Sequence, residues 1–490
     1  MRRLSVVFLL LSLTALANAE PQGVADRIPV SQGKFVTVPY NGPIPAQTSG
    51  YIYLNRCTGG CTVTGGGADD ARAMASSILG PGPHTITEFQ NDMGQTGAAA
   101  DDAWHALLTC VQEVYSPFAV TVADVPPANG VSYTMGIAAG NPGDAGLSNG
   151  ILGIGLGTCA PLDNVISFSF ANHESGSGLA RMYDACWTIA QETAHNFGLE
   201  HEFQFTDGNS ACNDPMTYRT DCGGEKFFRN KPAACGEYAT RPCNCGGVQN
   251  SVGKLTNALG AGTSIIPAPT SMILTPPAGS VAAGFTVGVA AGSRRGVEKV
   301  ELWLNGHKWA TAPGAVFGTN GQPNPSNYTL TAPANVPDGV IDIVAKAYDD
   351  LAIETDSATV TVMKGAACTS AASCLTGQKC EAGKCFWDAP TGQLGDACTY
   401  NEFCTSGMCQ DSDVGQYCTQ SCVVNSDGAC PAMFDCIATS DTQGVCLPQG
   451  KASSGCCSVG HESARAKWAH IGLGLFVFGL VIRRRRRGSK

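Results

Sequence analysis

The segment from Gln191 to His201 reads Q-E-T-A-H-N-F-G-L-E-H and gathers nitrogen, amide and carboxylate donors at spacings that suit one metal ion. On a helix, positions i and i+4 share a face, so Gln191 and His195 can converge on a common point. Glu192 lies beside them, placed to accept a proton from a water polarised by that ion. Gly198 is able to take a positive φ and turn the chain sharply, which would return His201 as a third ligand. Three protein ligands, an open position and a nearby base are what a catalytic zinc site requires. Gln191 is the weak member, because an amide oxygen is neutral and less basic than an imidazole nitrogen. Exchanging one ligand costs a few kcal/mol of a binding energy of about 10–16 kcal/mol, on the order of a hundredfold in affinity. Tyr218 could complete such a set. His173 is the more remote substitute, because a Gly/Ser stretch at residues 175–178 separates it from the helix.

The elements that must hold these groups follow from periodicity. A helix is expected from near Asp184 to Gly198. Residues 100–115 read as an amphipathic helix with Trp104, Leu107, Leu108, Val111 and Val114 on one face and Asp101 or Asp102 as N-cap. Residues 51–54, 118–122 and 131–137 read as strands. Residues 164–170 alternate cleanly, with Ile166, Phe168 and Phe170 facing one way and Ser167 and Ser169 the other.

Downstream stands Asp214-Pro215-Met216-Thr217-Tyr218. With Gln191 where the motif H-E-x-x-H-x-x-G-x-x-H has its first histidine, the positions Glu192, His195, Gly198, His201 and Met216 together resemble a metzincin-type zinc metallopeptidase, matrixin-like in element order over residues 51–218. The resemblance implies an α+β catalytic domain over residues 34–261. It implies zinc on Gln191, His195 and His201, Glu192 as catalytic base, and Met216 in a turn beneath the metal. Tyr218 would ligate zinc or stabilise the oxyanion. An extended polypeptide substrate would add to an edge strand, with residues 164–170 lining the cleft. The alternative is a metzincin-like surface adhesion protein that binds peptide without cutting it.

The rest of the chain speaks of export. Among 490 residues the net charge is −10 even with five arginines at 483–487, so the body is acidic and no nucleic-acid partner is expected. A basic start, an apolar run over residues 4–16 and Ala17-Asn18-Ala19 read as a signal peptide ending at residue 19. Of 24 cysteines, ten lie between Cys57 and Cys245 and twelve between Cys368 and Cys446, which predicts five and six disulfides. Cys57 and Cys61 are candidates for a local bridge, with a cysteine switch as the alternative. Residues 271–363 have the rhythm of an Ig-like β-sandwich, reached through a proline-punctuated linker at 265–269, with Asn305-Gly306 as a hairpin turn.

Residues 368–446 hold too few large apolar side chains for a core and form a disulfide-rich module, with a duplicated cysteine spacing. Residues 456–490 combine a cysteine pair, a short apolar span and the arginine block, and resemble a MYXO-CTERM sorting tail. That resemblance implies a C-terminal transmembrane segment, surface delivery and a processing enzyme acting on the tail. Asp69-Asp70 and Asp101-Asp102 are a candidate calcium site, although loop solvation and helix capping explain them more cheaply.

Overall fold

The computed structural model describes residues 31, 33–45, 48–314, 325–412, 415–424, 426 and 429–448. The signal peptide and the C-terminal sorting tail expected from the sequence lie outside the described residues. Two compact units emerge, one of residues 1–336 with 341–365 and one of residues 337–340 with 366–490.

Unit one opens with β1 (Lys34–Pro39), β2 (Tyr51–Asn55), β3 (Cys61–Gly65), β4 (Ala75–Ser76) and β5 (Gly82–Ile86). Helix α1 (Asp101–Tyr115) follows, then β6 (Thr121–Ala123), β7 (Thr134–Ala138), β8 (Ile151–Gly157), β9 (Ile166–Ser169) and α2 (Gly178–His195). Six of these strands form one sheet in the order β1-β8-β9-β7-β2-β6, in which only the β8–β9 pair is antiparallel. Against it α1 presents Trp104, Leu107, Val111 and Val114, as its periodicity predicts, and Cys110 is bridged to Cys186 of α2. The N-cap, however, is Ala100, with no side-chain cap; Asp101 instead pairs with Arg56 at 2.7 Å. Beyond α2 come β10 (Glu202–Phe205), β11 (Ala233–Cys235) and α3 (Ser251–Leu259).

The second half of unit one is a sandwich. Its strands are β12 (Thr270–Thr275), β13 (Gly279–Val281), β14 (Thr286–Gly292), β15 (Lys299–Leu304), β16 (His307–Pro313), β17 (Ser326–Thr331), β18 (Gly339–Tyr348), β19 (Glu354–Asp356) and β20 (Val360–Lys364). One sheet runs β12-β14-β17 and the other β13-β20-β18-β15-β16, with β19 beside β18. Val287 and Val289 from the first sheet and Val300, Leu302 and Ile343 from the second share one apolar core. Asn305 and Gly306 both take positive φ between β15 and β16, as a tight hairpin requires.

In unit two, the described cysteines pair 368–380 and 374–385, then 398–409 and 404–418, then 422–436 and 430–446. Each quartet joins first to third and second to fourth around a short hairpin, so the module is threefold rather than duplicated. The third copy escapes a spacing comparison because its loops are longer. Unit one carries five bridges, including Cys57–Cys61, which removes the free thiol a cysteine switch would need.

The expected fold class needs correction. Among the described residues there are three α-helices, and strand at 36% outweighs helix at 14%, so this part of the chain is predominantly β rather than built on an α+β catalytic domain. The physical reason is visible in the composition. Glycine, proline and β-branched runs break helical periodicity everywhere except in three windows, and disulfide-tied loops take up much of residues 196–250. Among the described residues no helix is long and apolar enough to cross a membrane.

Candidate metal and peptide site

Helix α2 begins at Gly178, about a turn and a half before the expected start near Asp184. Its first turn is fixed from outside. Asp92 accepts the Gly178 N–H at 2.8 Å, and the buried Arg181 donates to the carbonyls of Glu174 and Ala171. The helix ends at His195, and Gly198 then takes φ +90°, where a Cβ would lie 3.0 Å from the Cys159 carbonyl. That turn delivers His201 to His195, as the spacing predicts: their Nε2 atoms are 3.0 Å apart.

The rings are held from behind. His195 Nδ1 donates to the Leu199 carbonyl at 2.7 Å, and His201 Nδ1 to Glu237 Oε1 at 3.0 Å. Both acceptors lack protons, so each Nδ1 carries the hydrogen of its bond and each Nε2 faces the other ring. Burial, assisted by His201, pushes His195 down to about 3, so it is neutral. Two facing nitrogens at this distance require a cation or a proton between them. Nitrogens on a tetrahedral zinc at 2.0–2.1 Å stand about 3.3 Å apart. The residues present therefore fit a zinc ion.

Gln191 is 1% exposed, one turn before His195, and its amide nitrogen has no hydrogen-bond partner. Glu192 is fully buried, neither carboxylate oxygen has a partner, and burial raises its pKa well above the carboxylate range. The space for it comes from β8, whose sequence is I-L-G-I-G-L-G. A Cβ on Gly153 would stand 2.5 Å from Glu192 Oε1, and one on Gly155 2.7 Å from the Glu192 carbonyl. Met216 is fully buried in the main core of unit one, with its N–H on Asp214 Oδ1 at 2.8 Å. The Tyr218 ring stands 5.0 Å from that of His201, and burial raises its phenol pKa.

Three placements differ from expectation. Residues 164–170 do not form the edge of the sheet: β9 lies between β7 and β8, and all four of its residues are buried. Its serines face the motif helix, Ser167 donating to the Glu192 carbonyl at 2.9 Å. Alternation with small polar residues reads as a solvent face, but here it marks close packing against a helix backbone. His173 is engaged elsewhere, with Nε2 on the Asn149 carbonyl at 2.7 Å. The candidate calcium carboxylates are also occupied: Asp69 and Asp70 accept from Ser77 and Asn164, and Asp101 meets Arg56.

Two functional residues were missed. Glu237 orients His201 while Arg241 holds it at 3.1 Å, and these contacts lower its carboxyl to about 2, the His201 bond contributing most. It lies 36 residues beyond His201, and no spacing rule connects them. Thr37 of β1 places its hydroxyl 3.1 Å from His195 Nε2. The β-branched run at residues 36–38 was a strand signal that could have been read. Beside this contact a cleft of about 280 Å³ is lined by Phe35, Leu152, Glu174, Trp187, Gln191 and Tyr218. Burial pushes the Glu174 carboxyl in its wall up to about 7. Four other groupings bring cysteines close enough to suggest a metal, but every cysteine in them is in a disulfide.

No family model matches the chain, and no curated protein matches it. Among solved structures, it is similar to fibronectin(III)-like modules of CbhA from Clostridium thermocellum, at 16% identity over 20% of this chain and 96% of that one, with a TM-score of 0.15. It is also similar to CopC from Methylosinus trichosporium OB3b, at 19% identity over 20% of this chain and 94% of that one, with a TM-score of 0.14.

Proposed function

We propose that the chain is an exported zinc-dependent endopeptidase that binds an extended polypeptide along β8 and hydrolyses it beside His195. One observation carries the reading: two imidazole Nε2 atoms meet at 3.0 Å with both Nδ1 atoms already committed, next to a buried carboxylate that has no partner. A zinc ion held by both nitrogens, with Glu192 as the adjacent base, accounts for the contact and the partnerless carboxylate together. A zinc ion on His195, His201 and Gln191 would supply Lewis-acid polarisation of a peptide carbonyl and of a water. Glu192 takes the proton of the attacking water and passes it to the leaving amine. Glu237 keeps the His201 lone pair aimed inward, a role outer carboxylates play at metal centres. Tyr218, once free of its present partners, donates its hydroxyl to the developing oxyanion. Eleven disulfides favour an oxidising, extracytoplasmic setting.

A second reading, a non-catalytic peptide-binding surface protein, is favoured by Gln191 in the ligand set. Metal content by mass spectrometry on the oxidised chain, purified without chelators, separates the two. Near one zinc per chain, with hydrolysis of a quenched-fluorescent unfolded polypeptide that Glu192→Gln abolishes, is the expected result. Zinc far below stoichiometric and not restored by added zinc would sink the peptidase reading.

A further inference from the structure

Met216 and Tyr218 stand in the long connection between β10 and β11, residues 206–232, which forms neither helix nor extended strand. Ordering such a loop costs about 1–2 kcal/mol of backbone entropy per residue, so its contacts decide whether the turn keeps one shape. Asp214 supplies two of them. Its Oδ1 accepts the Met216 N–H and its Oδ2 the Arg229 N–H, both at 2.8 Å, so one carboxylate ties the turn to the far end of the connection. Arg229 Nε reaches the Asn213 carbonyl at 3.2 Å, and the Phe227 N–H donates to the same carbonyl at 3.1 Å. On its other side the turn meets the site. The Glu202 N–H donates to the Met216 carbonyl at 2.7 Å, and the Tyr218 hydroxyl bonds the N–H and the carbonyl of Phe35 in β1.

The far end of the connection is gripped by the sandwich, at three consecutive residues. The Phe228 carbonyl accepts from Arg295 Nη2 at 2.7 Å, the Arg229 guanidinium donates to the Arg295 carbonyl, and the Asn230 N–H donates to Asp350 Oδ2 at 3.2 Å. Arg295 comes from the loop between β14 and β15, and Asp350 from just beyond β18. Asp350 faces both buried cations, Arg295 at 2.8 Å and Arg229 at 3.9 Å. The sandwich therefore reaches Met216 in two steps, from Asp350 to Arg229 and from Arg229 to Asp214.

We propose that the β-sandwich is a working part of the site: Asp350 and Arg229 are positioning residues that hold the turn carrying Met216 and Tyr218 against His201. This rests on the function proposed above. Both residues act through the turn, because their contacts are with the connection and the sandwich.

The test uses the full oxidised chain with zinc present and carries Asp350→Asn, which removes the charge at nearly constant volume. Arg229→Lys is the second variant, should the first fail to fold. It keeps the cation and loses the fork that reaches the Asn213 and Arg295 carbonyls. Both are measured well below their unfolding midpoints. The first readout, amide hydrogen exchange by mass spectrometry, is independent of activity. Exchange across residues 213–219 is expected to quicken by about tenfold or more, with residues 182–190 of α2 unchanged. The second readout is hydrolysis of an unfolded polypeptide, with Tyr218 intact and with Tyr218→Phe. With Tyr218 intact, kcat is expected to fall by about tenfold while KM stays within about threefold, and the fall should vanish when Tyr218→Phe is already present. A merely structural loss lowers the active fraction equally in both backgrounds. Unchanged exchange at residues 213–219 overturns the proposal whatever hydrolysis does, and so does a fall of equal size in both backgrounds. Faster exchange there, with no hydrolysis by the unmodified chain, keeps the sandwich's hold on the turn and sinks the peptidase.

Discussion

Around Arg295, buried charge is answered in kind; around His195, buried polar atoms are left without partners. Arg295 is fully buried in the sandwich and makes two 2.8 Å bonds to Asp350 and one of 2.7 Å to the Phe228 carbonyl. Arg229 adds a second cation to the same carboxylate, at 3.9 Å. One nitrogen of Arg295 apart, the cluster is paired throughout. Beside His195, Glu192 and the amide nitrogen of Gln191 are equally buried and have no partners. Burial without a partner raises the Glu192 pKa well above the carboxylate range, and each polar atom left unsatisfied carries a desolvation cost. The first cluster locks the sandwich to the sheet domain. The second is the site at which we propose a metal binds.

The contrast is broken most severely at Asp350. Asp350→Ala leaves Arg295 and Arg229 buried and uncompensated, and should cost about 3–5 kcal/mol in denaturant unfolding of the oxidised chain. Acid should do the same more gradually. Burial favours the neutral Asp350, but Arg295 and Arg229 outweigh it and hold its pKa below the usual carboxylate value. Its contribution is therefore complete above about pH 4 and lost as pH falls through the lower folded value. Asp350→Ala should lack that acid step in a pH series of unfolding midpoints.

Removing the other buried carboxylate should behave oppositely. Glu192→Gln replaces a buried carboxyl that has no partner, so stability should change by no more than about 0.5 kcal/mol or rise, while peptide hydrolysis falls by about 10²–10⁴. A large loss of stability would mean that Glu192 belongs to the structural class after all. Gly155→Ala is next in size. Its Cβ would press on the Glu192 carbonyl at 2.7 Å, a backbone atom with little room to yield, at a cost of about 1–3 kcal/mol by thermal unfolding. Arg294→Ala should matter least. Arg294 bridges Glu113 of α1 and Glu225, but its side chain is 33% exposed and its ion pairs are wetted, so about 1 kcal/mol or less is expected in the same assay.

Local rules carried the reading a good distance. The helix face of α1, the turn at Gly198 and the Asn305-Gly306 hairpin each depend on residues close in sequence. The reading failed where the deciding neighbour was remote. Ser167 and Ser169 alternate like a surface strand, and only the motif helix packed on them makes them interior. Residues 265–269 read as a proline-punctuated linker, yet Ile266 is 4% exposed and belongs to the main core of unit one.

By itself the sequence determined the turn that brings His195 and His201 together, because helix spacing and one positive-φ glycine suffice for that approach. It also determined the oxidised, disulfide-held character of the chain, since cysteine number and spacing require no knowledge of the fold. Only the tertiary structure decided that Glu237 stands behind His201, that Gly153 and Gly155 open a chamber for Glu192, and that β1 lies across the site. Those facts depend on which strand becomes the neighbour of which. Strand order is set by the burial of whole faces against each other, a property that no short window of residues contains.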